Sequence, residues 1–201
     1  MHIPYVAADG EPDEAEVVAA TRRWLERGVI GLNLCPFAKA VHVKGQIRWA
    51  VTGAADRREL LDELRHELRL LADADPEAID TTLLVHPRAL ADFDDYLDFV
   101  EAAERAVRKA GLDGTLQIAS FHPDYVFADA PPDDPANHTN RSPWPMLHLL
   151  REESLDRAIE AVPDAAEIYE RNIETLRRLG HAGWRRLMGA DDDGSGPPTT
   201  D

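Results

Sequence analysis

Apolar positions along the chain change between helical and strand-like spacing. Apolar residues three or four positions apart predict helices at 14–27, from 56 onward, at 89–110 and from 164 to about 179. The second of these helices carries a stripe of leucines between Leu60 and Leu71. Short apolar runs bounded by turn residues predict strands at 47–52, 81–87 and 115–123.

The order of these elements predicts an α/β fold. Strand, helix, strand, helix, strand is typical of βαβ units with right-handed crossovers. We therefore expect a small, mostly parallel sheet with packed helices, in a single α/β domain over residues 13–188. Residues 1–12 are expected to form a flexible lead-in, and the Gly-, Pro- and Asp-rich residues 189–201 a disordered acidic tail.

The segment after the third strand predicts a further helix that carries metal ligands. A helical pattern resumes at 146–152 and continues toward residue 161. On a helix, His148 and Glu152 share one face, and His122 from the preceding strand end completes a set of two imidazoles and one carboxylate. Such a set suits a divalent transition metal such as zinc or iron. The alternative is that His148 bonds to the preceding loop and Glu152 pairs with an arginine.

Two predicted strands end in the same dipeptide, His-Pro. The second strand leads into His86 and the third into His122. The carboxyl ends of parallel strands meet at one edge of a sheet, where open α/β sheets bind their ligands. We therefore assign His122 the role of a general acid/base or metal ligand, with His86, His138 and Asp124 as further candidates. The alternative is that these histidines are packed structural residues.

The proline-rich segment 140–148 has the composition of a rigid binding loop. Its prolines hold the backbone extended, which keeps the neighbouring donors in place. Donors for a carboxylate or phosphate are expected from four side chains, Asn140, Arg141, Ser142 and Arg151. The alternative is that the arginines tie the loop to the acidic body of the protein.

Cys35 is the single cysteine, so the chain holds no internal disulfide and no multi-cysteine metal cage. Pro36 directly after it favours the start of a helix. A thiol at a helix amino terminus, near Lys39, would have a lowered pKa, which makes Cys35 a candidate catalytic nucleophile. The alternative is a buried, inert thiol.

The overall charge limits the kinds of partner. A net charge of −16 repels phosphate backbones and anionic membrane surfaces, so neither a nucleic acid nor a membrane is an expected partner. No apolar run approaches the roughly 18 residues that a membrane-spanning helix needs. The amino terminus lacks the pattern of a signal peptide, which predicts a cytoplasmic location.

Acidic residues are absent from two segments, 28–55 and 136–151. The first carries three cations and the second carries two: Lys39, Lys44, Arg48, Arg141 and Arg151. Two locally basic segments that met in space would form a pocket for an anion. The alternative is that buried loops simply lack acids.

Four separated segments resemble a known protein family. They read GLNLCPFAKAV, QIASFHPDY, TNRSPWPMLHLLRE and ERNIETLRRLGHAGW, in this order across residues 31–184. They resemble a bacterial family catalogued as a domain of unknown function, number 1415. The resemblance implies a single bacterial domain and brings no activity, cofactor or catalytic residue with it.

Together these patterns predict a cytoplasmic enzyme that acts on a small anionic molecule through a His/Glu/Arg site. The cofactor that the predicted ligands would accept is a divalent transition metal such as zinc or iron. The alternative is a non-catalytic ligand-binding or protein-interaction module that uses the 140–148 loop. An exposed Trp144 would favour the module, whereas histidines that converge in a concave pocket would favour the enzyme.

Overall fold

The fold is built on one mixed sheet with helices on both faces, in a computed structural model that describes residues 12–160 and 167–189. The strands are β1 (Ile47–Val51), β2 (Thr81–Val85), β3 (Leu116–Phe121) and β4 (Met146–Arg151). The helices are α1 (Glu14–Trp24), α2 (Pro36–Val43), α3 (Arg57–Asp73), α4 (Phe93–Lys109), α5 (Glu152–Glu160) and α6 (Ile168–Met188).

The strand order is β1-β2-β4-β3. β1 and β2 pair in parallel, and β4 lies between β2 and β3 and runs antiparallel to both. β1, β2 and β3 therefore run in one direction, as the crossovers through α3 and α4 require. The prediction of an α/β fold is confirmed. The prediction of a mostly parallel sheet is wrong, because β4 separates the two strands that α4 connects.

The helix predicted at 146–152 is also wrong. Residues Met146–Arg151 form β4, and the helix begins only at Glu152. A short apolar run such as MLHLLR fits a buried strand and a helical turn equally well. The tertiary structure decides between them, because β4 finds hydrogen-bonding strands on both sides and buries Leu147 and Leu149 completely.

Alternate residues of β4 point to opposite faces of the sheet. Leu147 and Leu149 pack in the core formed with α3 and α4. Met146 packs on the other face, with side chains of α1 and α6, and Leu150 packs there with side chains of α2 and α5. The two faces of the sheet therefore belong to different hydrophobic clusters, and alternate residues of β4 pack into the clusters on opposite faces.

Two glycines, Gly28 and Gly180, lie just past the helix ends predicted at residue 27 and at about residue 179, and the chain stays helical beyond each of them. The chain continues past Gly28 as a π-helical segment, Leu25–Ile30, and a Cβ at Gly28 would lie 3.0 Å from the ring of Trp184. α6 continues past Gly180, which has a φ of 64° and kinks the helix. The kink carries the end of α6, with His181 and Trp184, onto the body of the protein.

The predicted lead-in and tail lie outside the described residues, apart from residues 12 and 189. Over 12–160 and 167–189, none of the helices combines the length and the apolar character that crossing a membrane requires.

Candidate functional site

The three predicted metal ligands are not brought together. His148 lies in the middle of β4 on the face that α1 and α6 cover, whereas His122 contacts Phe93 and Tyr96 of α4 on the opposite face, with ring centroids 5.3 and 5.0 Å away. Four residues span roughly 13 Å along a strand and roughly 6 Å along a helix, so β4 also separates His148 from Glu152. Among the described residues, no group of three or more His, Cys, Asp and Glu side chains is arranged to hold a metal ion.

The ring of His148 joins β4 to β2. The Thr81 hydroxyl donates to the carbonyl of Leu149 at 2.6 Å, so it accepts the Nε2–H of His148 at 2.7 Å. Burial lowers the pKa of His148 to about 4, which leaves the ring neutral at neutral pH. These contacts give His148 a structural role within the sheet.

His86 and His122 lie close together, and both rings contact Tyr96, with centroids 5.9 and 5.0 Å away. Both side chains are fully buried. His122 accepts the backbone N–H of Asp124 at Nδ1 and donates from Nε2 to the carbonyl of Leu90, each at 3.1 Å. Burial lowers the pKa of His86 to about 4. The contacts favour the interpretation that both histidines are packed structural residues, and the catalytic role of His122 stays a prediction.

The donors of the 140–142 segment bond to backbone carbonyls of β3 and of their own loop. Each donates to a carbonyl 2.6–3.1 Å away: Arg141 to Tyr125 and Pro132, Asn140 to Ser120, and Ser142 to Trp144. Arg141 therefore ties the loop together, and its role in anion binding stays a prediction. Trp144 is only 8% exposed and packs in the core, so it does not offer the partner surface that an interaction module would use.

Cys35 lies at the amino-terminal cap of α2, which begins at Pro36 as predicted. It packs against the clusters that contain Met146 and Leu150, so it is on the same face of the sheet as His148. Burial raises the pKa of the thiol and outweighs the opposite effect of the backbone N–H groups of α2. The direction is opposite to the one predicted and favours the inert thiol.

Arg151 lies at the far end of β4 and holds the connection between α3 and β2. One guanidinium nitrogen, Nη2, donates to three carbonyls at 2.5, 2.8 and 3.3 Å, those of Leu71, Ala74 and Ile79. Its Nε lies 3.8 Å from Oδ1 of Asp80. Arg141 and Arg151 are separated by at least the length of β4, roughly 17 Å, so they do not form one anion clamp.

A cleft of about 560 Å³ opens where β1 and β2 begin and β4 ends. Its floor contains the buried polar residues Gln46, Asp80 and Ser154, with Arg151 beside them. Its rim carries exposed polar side chains: Lys44, Asp75, Glu77, Thr115, Glu153 and Arg157. The volume lies within the range of roughly 300–1,000 Å³ that small-molecule sites occupy.

Ser154 connects the charged groups of this cleft. Its hydroxyl donates to Oδ1 of Asp80 at 2.7 Å and accepts from Nη2 of Arg157 at 2.9 Å. Arg157 also forms an ion pair with Glu153 at 2.5 Å. Nε of Arg151 lies 3.8 Å from the same oxygen of Asp80, so Arg151 compensates the charge of the buried carboxylate before any ligand binds.

The two acid-free segments meet at this cleft. Lys44 comes from the segment 28–55 and Arg151 from the segment 136–151, and both line the cleft. Lys44 forms no ion pair with any other residue that the structure describes. The absence of acidic residues from the two segments therefore pointed, in the sequence, to two residues that line this cleft, Lys44 and Arg151.

Three further residues of the cleft had no signal in the sequence. Asp80 and Ser154 are 74 positions apart, and Arg157 reaches them only because α5 begins directly after β4. Their proximity follows from the pairing of β2 with β4, which local spacing does not reveal.

A second histidine pair joins α6 to the segment Pro135–Thr139. Nε2 of His181 donates to the carbonyl of Asp133 at 2.8 Å, so its Nδ1 accepts the Nε2–H of His138 at 3.0 Å. The ring of His138 stacks on Trp184, with centroids 4.6 Å apart, and burial lowers its pKa to about 3. This pair connects α6 to the segment Pro135–Thr139.

One known family matches the sequence over the whole described core. The family model described as "Protein of unknown function (DUF1415)" matches residues 16–186, which include every described strand and the cleft. No curated protein and no solved structure shows significant similarity to the chain. The chain therefore belongs to the DUF1415 family of proteins of unknown function.

Proposed function

We propose that this protein binds a small anionic molecule in the cleft at the amino ends of β1 and β2. The observation that carries the proposal is that Lys44 and Arg151, from the two acid-free segments, line this cleft together with Arg157. These three cations share the lining with four carboxylates, those of Asp75, Glu77, Asp80 and Glu153, and the whole chain carries a net charge of −16, so the anion is expected to be held by direct contact with the cations and not by a positive potential of the cleft. The same net charge opposes a nucleic acid, so a small molecule is the expected ligand.

The carboxylates of the cleft leave room for an anion at its centre. Asp80 and Glu153 are already engaged by Ser154 and by the two arginines. The carboxylate of Asp75 accepts the backbone N–H of Glu77 at 2.9 Å, within the turn before β2. Lys44 keeps a charge that no described residue compensates. We therefore place the anionic group of the ligand between Lys44 and Arg157.

The proposal keeps the anion-binding part of the predicted enzyme and leaves out its catalysis. Among the described residues that line the cleft there is no histidine and no cysteine. The rings of His122 and His148 are bonded inside the core. The lining therefore supports binding by charge and hydrogen bonds, without an imidazole base or a thiol nucleophile.

The test is a nuclear magnetic resonance titration of the full chain with inorganic phosphate, sulfate and acetate at low ionic strength. We expect Lys44→Gln to weaken binding by up to roughly fivefold, since an exposed ion pair contributes up to about 1 kcal/mol. Lys39→Gln is the matched control, because Lys39 is an exposed lysine of α2 outside the cleft lining. Equal weakening by both variants, or no binding by the unaltered protein, would refute the proposal.

A further inference from the structure

A groove of about 330 Å³ runs between α2 and α5 beside the cleft. Its apolar lining comes from both helices: Pro36, Phe37, Ala40, Val41 and Ala158. Its polar lining is shared with the cleft: Lys44, Gln46, Asp80, Ser154 and Arg157. Cleft and groove are therefore two parts of one concave surface, and the shared residues form their junction.

The apolar lining continues to the rim of the groove. Val43 is 77% exposed and lies three positions after Ala40, on the same side of α2. A single exposed apolar side chain is ordinary on a protein surface, but Val43 lies one helical turn from Ala40, which lines an apolar groove.

Charge decides what kind of apolar ligand fits. Lys44 and Arg157 lie at the junction, so an apolar group in the groove brings any attached anionic group directly to them. Arg157 is held in place by Ser154, with a hydrogen bond of 2.9 Å. A neutral apolar molecule would leave Lys44 without a partner among the described residues, whereas an amphipathic anion would use both the charge and the groove.

We infer that the ligand is a small amphipathic anion, a carboxylate or phosphate that carries an alkyl or aryl group. Its anionic group lies between Lys44 and Arg157, and its apolar group lies between α2 and α5, against Ala40 and Ala158. The inference rests on the proposed function, since it specifies the class of anion that the same cleft binds.

Two homologous ligand series test the inference on the full chain by isothermal titration calorimetry. The series are straight-chain carboxylates and alkyl monophosphates, each extended from four to eight carbons. We expect the affinity to rise by about fourfold for each methylene that enters the groove, which corresponds to roughly 0.8 kcal/mol. The series with the higher affinity identifies the anionic group. Anions that bind without dependence on chain length would overturn this inference and leave the proposed function standing, whereas no binding of any anion would overturn both.

Variants separate the groove from the charges. Ala40→Phe fills the groove from an exposed position of α2, so we expect it to abolish the dependence of the affinity on chain length. Ala110→Phe, at an exposed position at the end of α4, is the matched control and should leave both series unchanged. Lys44→Gln should weaken short and long ligands by the same factor.

Two outcomes would assign the groove differently. If Ala40→Phe leaves the dependence on chain length intact, the apolar group binds elsewhere and the inference fails. If sedimentation shows a dimer that Ala40→Phe disrupts, the groove binds a second copy of the chain, which also overturns the inference.

Discussion

Arg151 is either a structural clamp or a cation that binds the ligand, and Arg151→Met distinguishes these two roles. The substitution keeps an unbranched apolar side chain of similar length and removes the guanidinium. It removes the donor to the carbonyls at the end of α3. It also removes the guanidinium beside the Asp80 carboxylate, which keeps its hydrogen bond from Ser154.

The magnitude follows from burial. The side chains of Arg151 and Asp80 are 11% and 10% exposed, so their interaction belongs to the buried class. Removing one member of a buried pair typically costs about 3–5 kcal/mol, because it leaves the other charge uncompensated. Total stabilities are only about 5–15 kcal/mol, so we expect Arg151→Met to lose a large part of the free energy of unfolding.

Urea unfolding followed by circular dichroism measures this loss. Arg157→Met is the matched control, since its partner Glu153 is 84% exposed and such a pair contributes about 0–1 kcal/mol. Adding Asp80→Asn to Arg151→Met should recover part of the loss, because it removes the uncompensated charge. If Arg151→Met loses no more free energy of unfolding than Arg157→Met, Arg151 is not a structural clamp, and its guanidinium is assigned to ligand binding instead.

Two further perturbations test the buried groups around Tyr96. Tyr96→Phe removes a hydroxyl that donates to the carbonyl of Met146 at 2.8 Å and accepts the N–H of Phe121 at 2.9 Å, so urea unfolding should show a loss of about 1–3 kcal/mol. Tyr169→Phe, at a side chain that is 47% exposed, should change stability by less than about 0.5 kcal/mol; equal effects would contradict the assignment. Burial lowers the pKa of His86 in the folded state to about 4 from its usual 6.5, so unfolded chains bind the proton first as the pH falls, and stability is lost between about pH 6.5 and 4. His86→Leu should remove a loss on the order of 3 kcal/mol from that window, and an unchanged pH profile would contradict this.

The elements that the sequence predicted well are those that local interactions specify. α3 begins at Arg57, next to the start predicted at 56, and the Asp56 side chain caps it by accepting the backbone N–H groups of Arg58 and Glu59. Its buried face is the predicted stripe of leucines. β2 and α4 are likewise confirmed, with ends shifted by a few residues. Caps and apolar periodicity act within one element, so a single sequence reveals them.

The predicted site depended on partners distant in the chain. His148 and Glu152 were grouped because a helix would place them on one face, and β4 separates them instead. The donors of Asn140, Arg141 and Ser142 were expected to face a ligand, and they bond to backbone carbonyls of β3 and of their own loop. Residue type shows what a side chain can bond to, but it does not show which partner comes within reach.

The sequence by itself determined the α/β class, the main helices, the membership of a family and the two acid-free segments whose cations meet at one cleft. The tertiary structure decided the strand state of MLHLLR, the place of β4 between β2 and β3, and the cleft that Asp80, Ser154 and Arg157 complete. The physical reason is that periodicity and capping are local, whereas strand pairing and the compensation of a buried charge depend on residues that only the folded chain brings together.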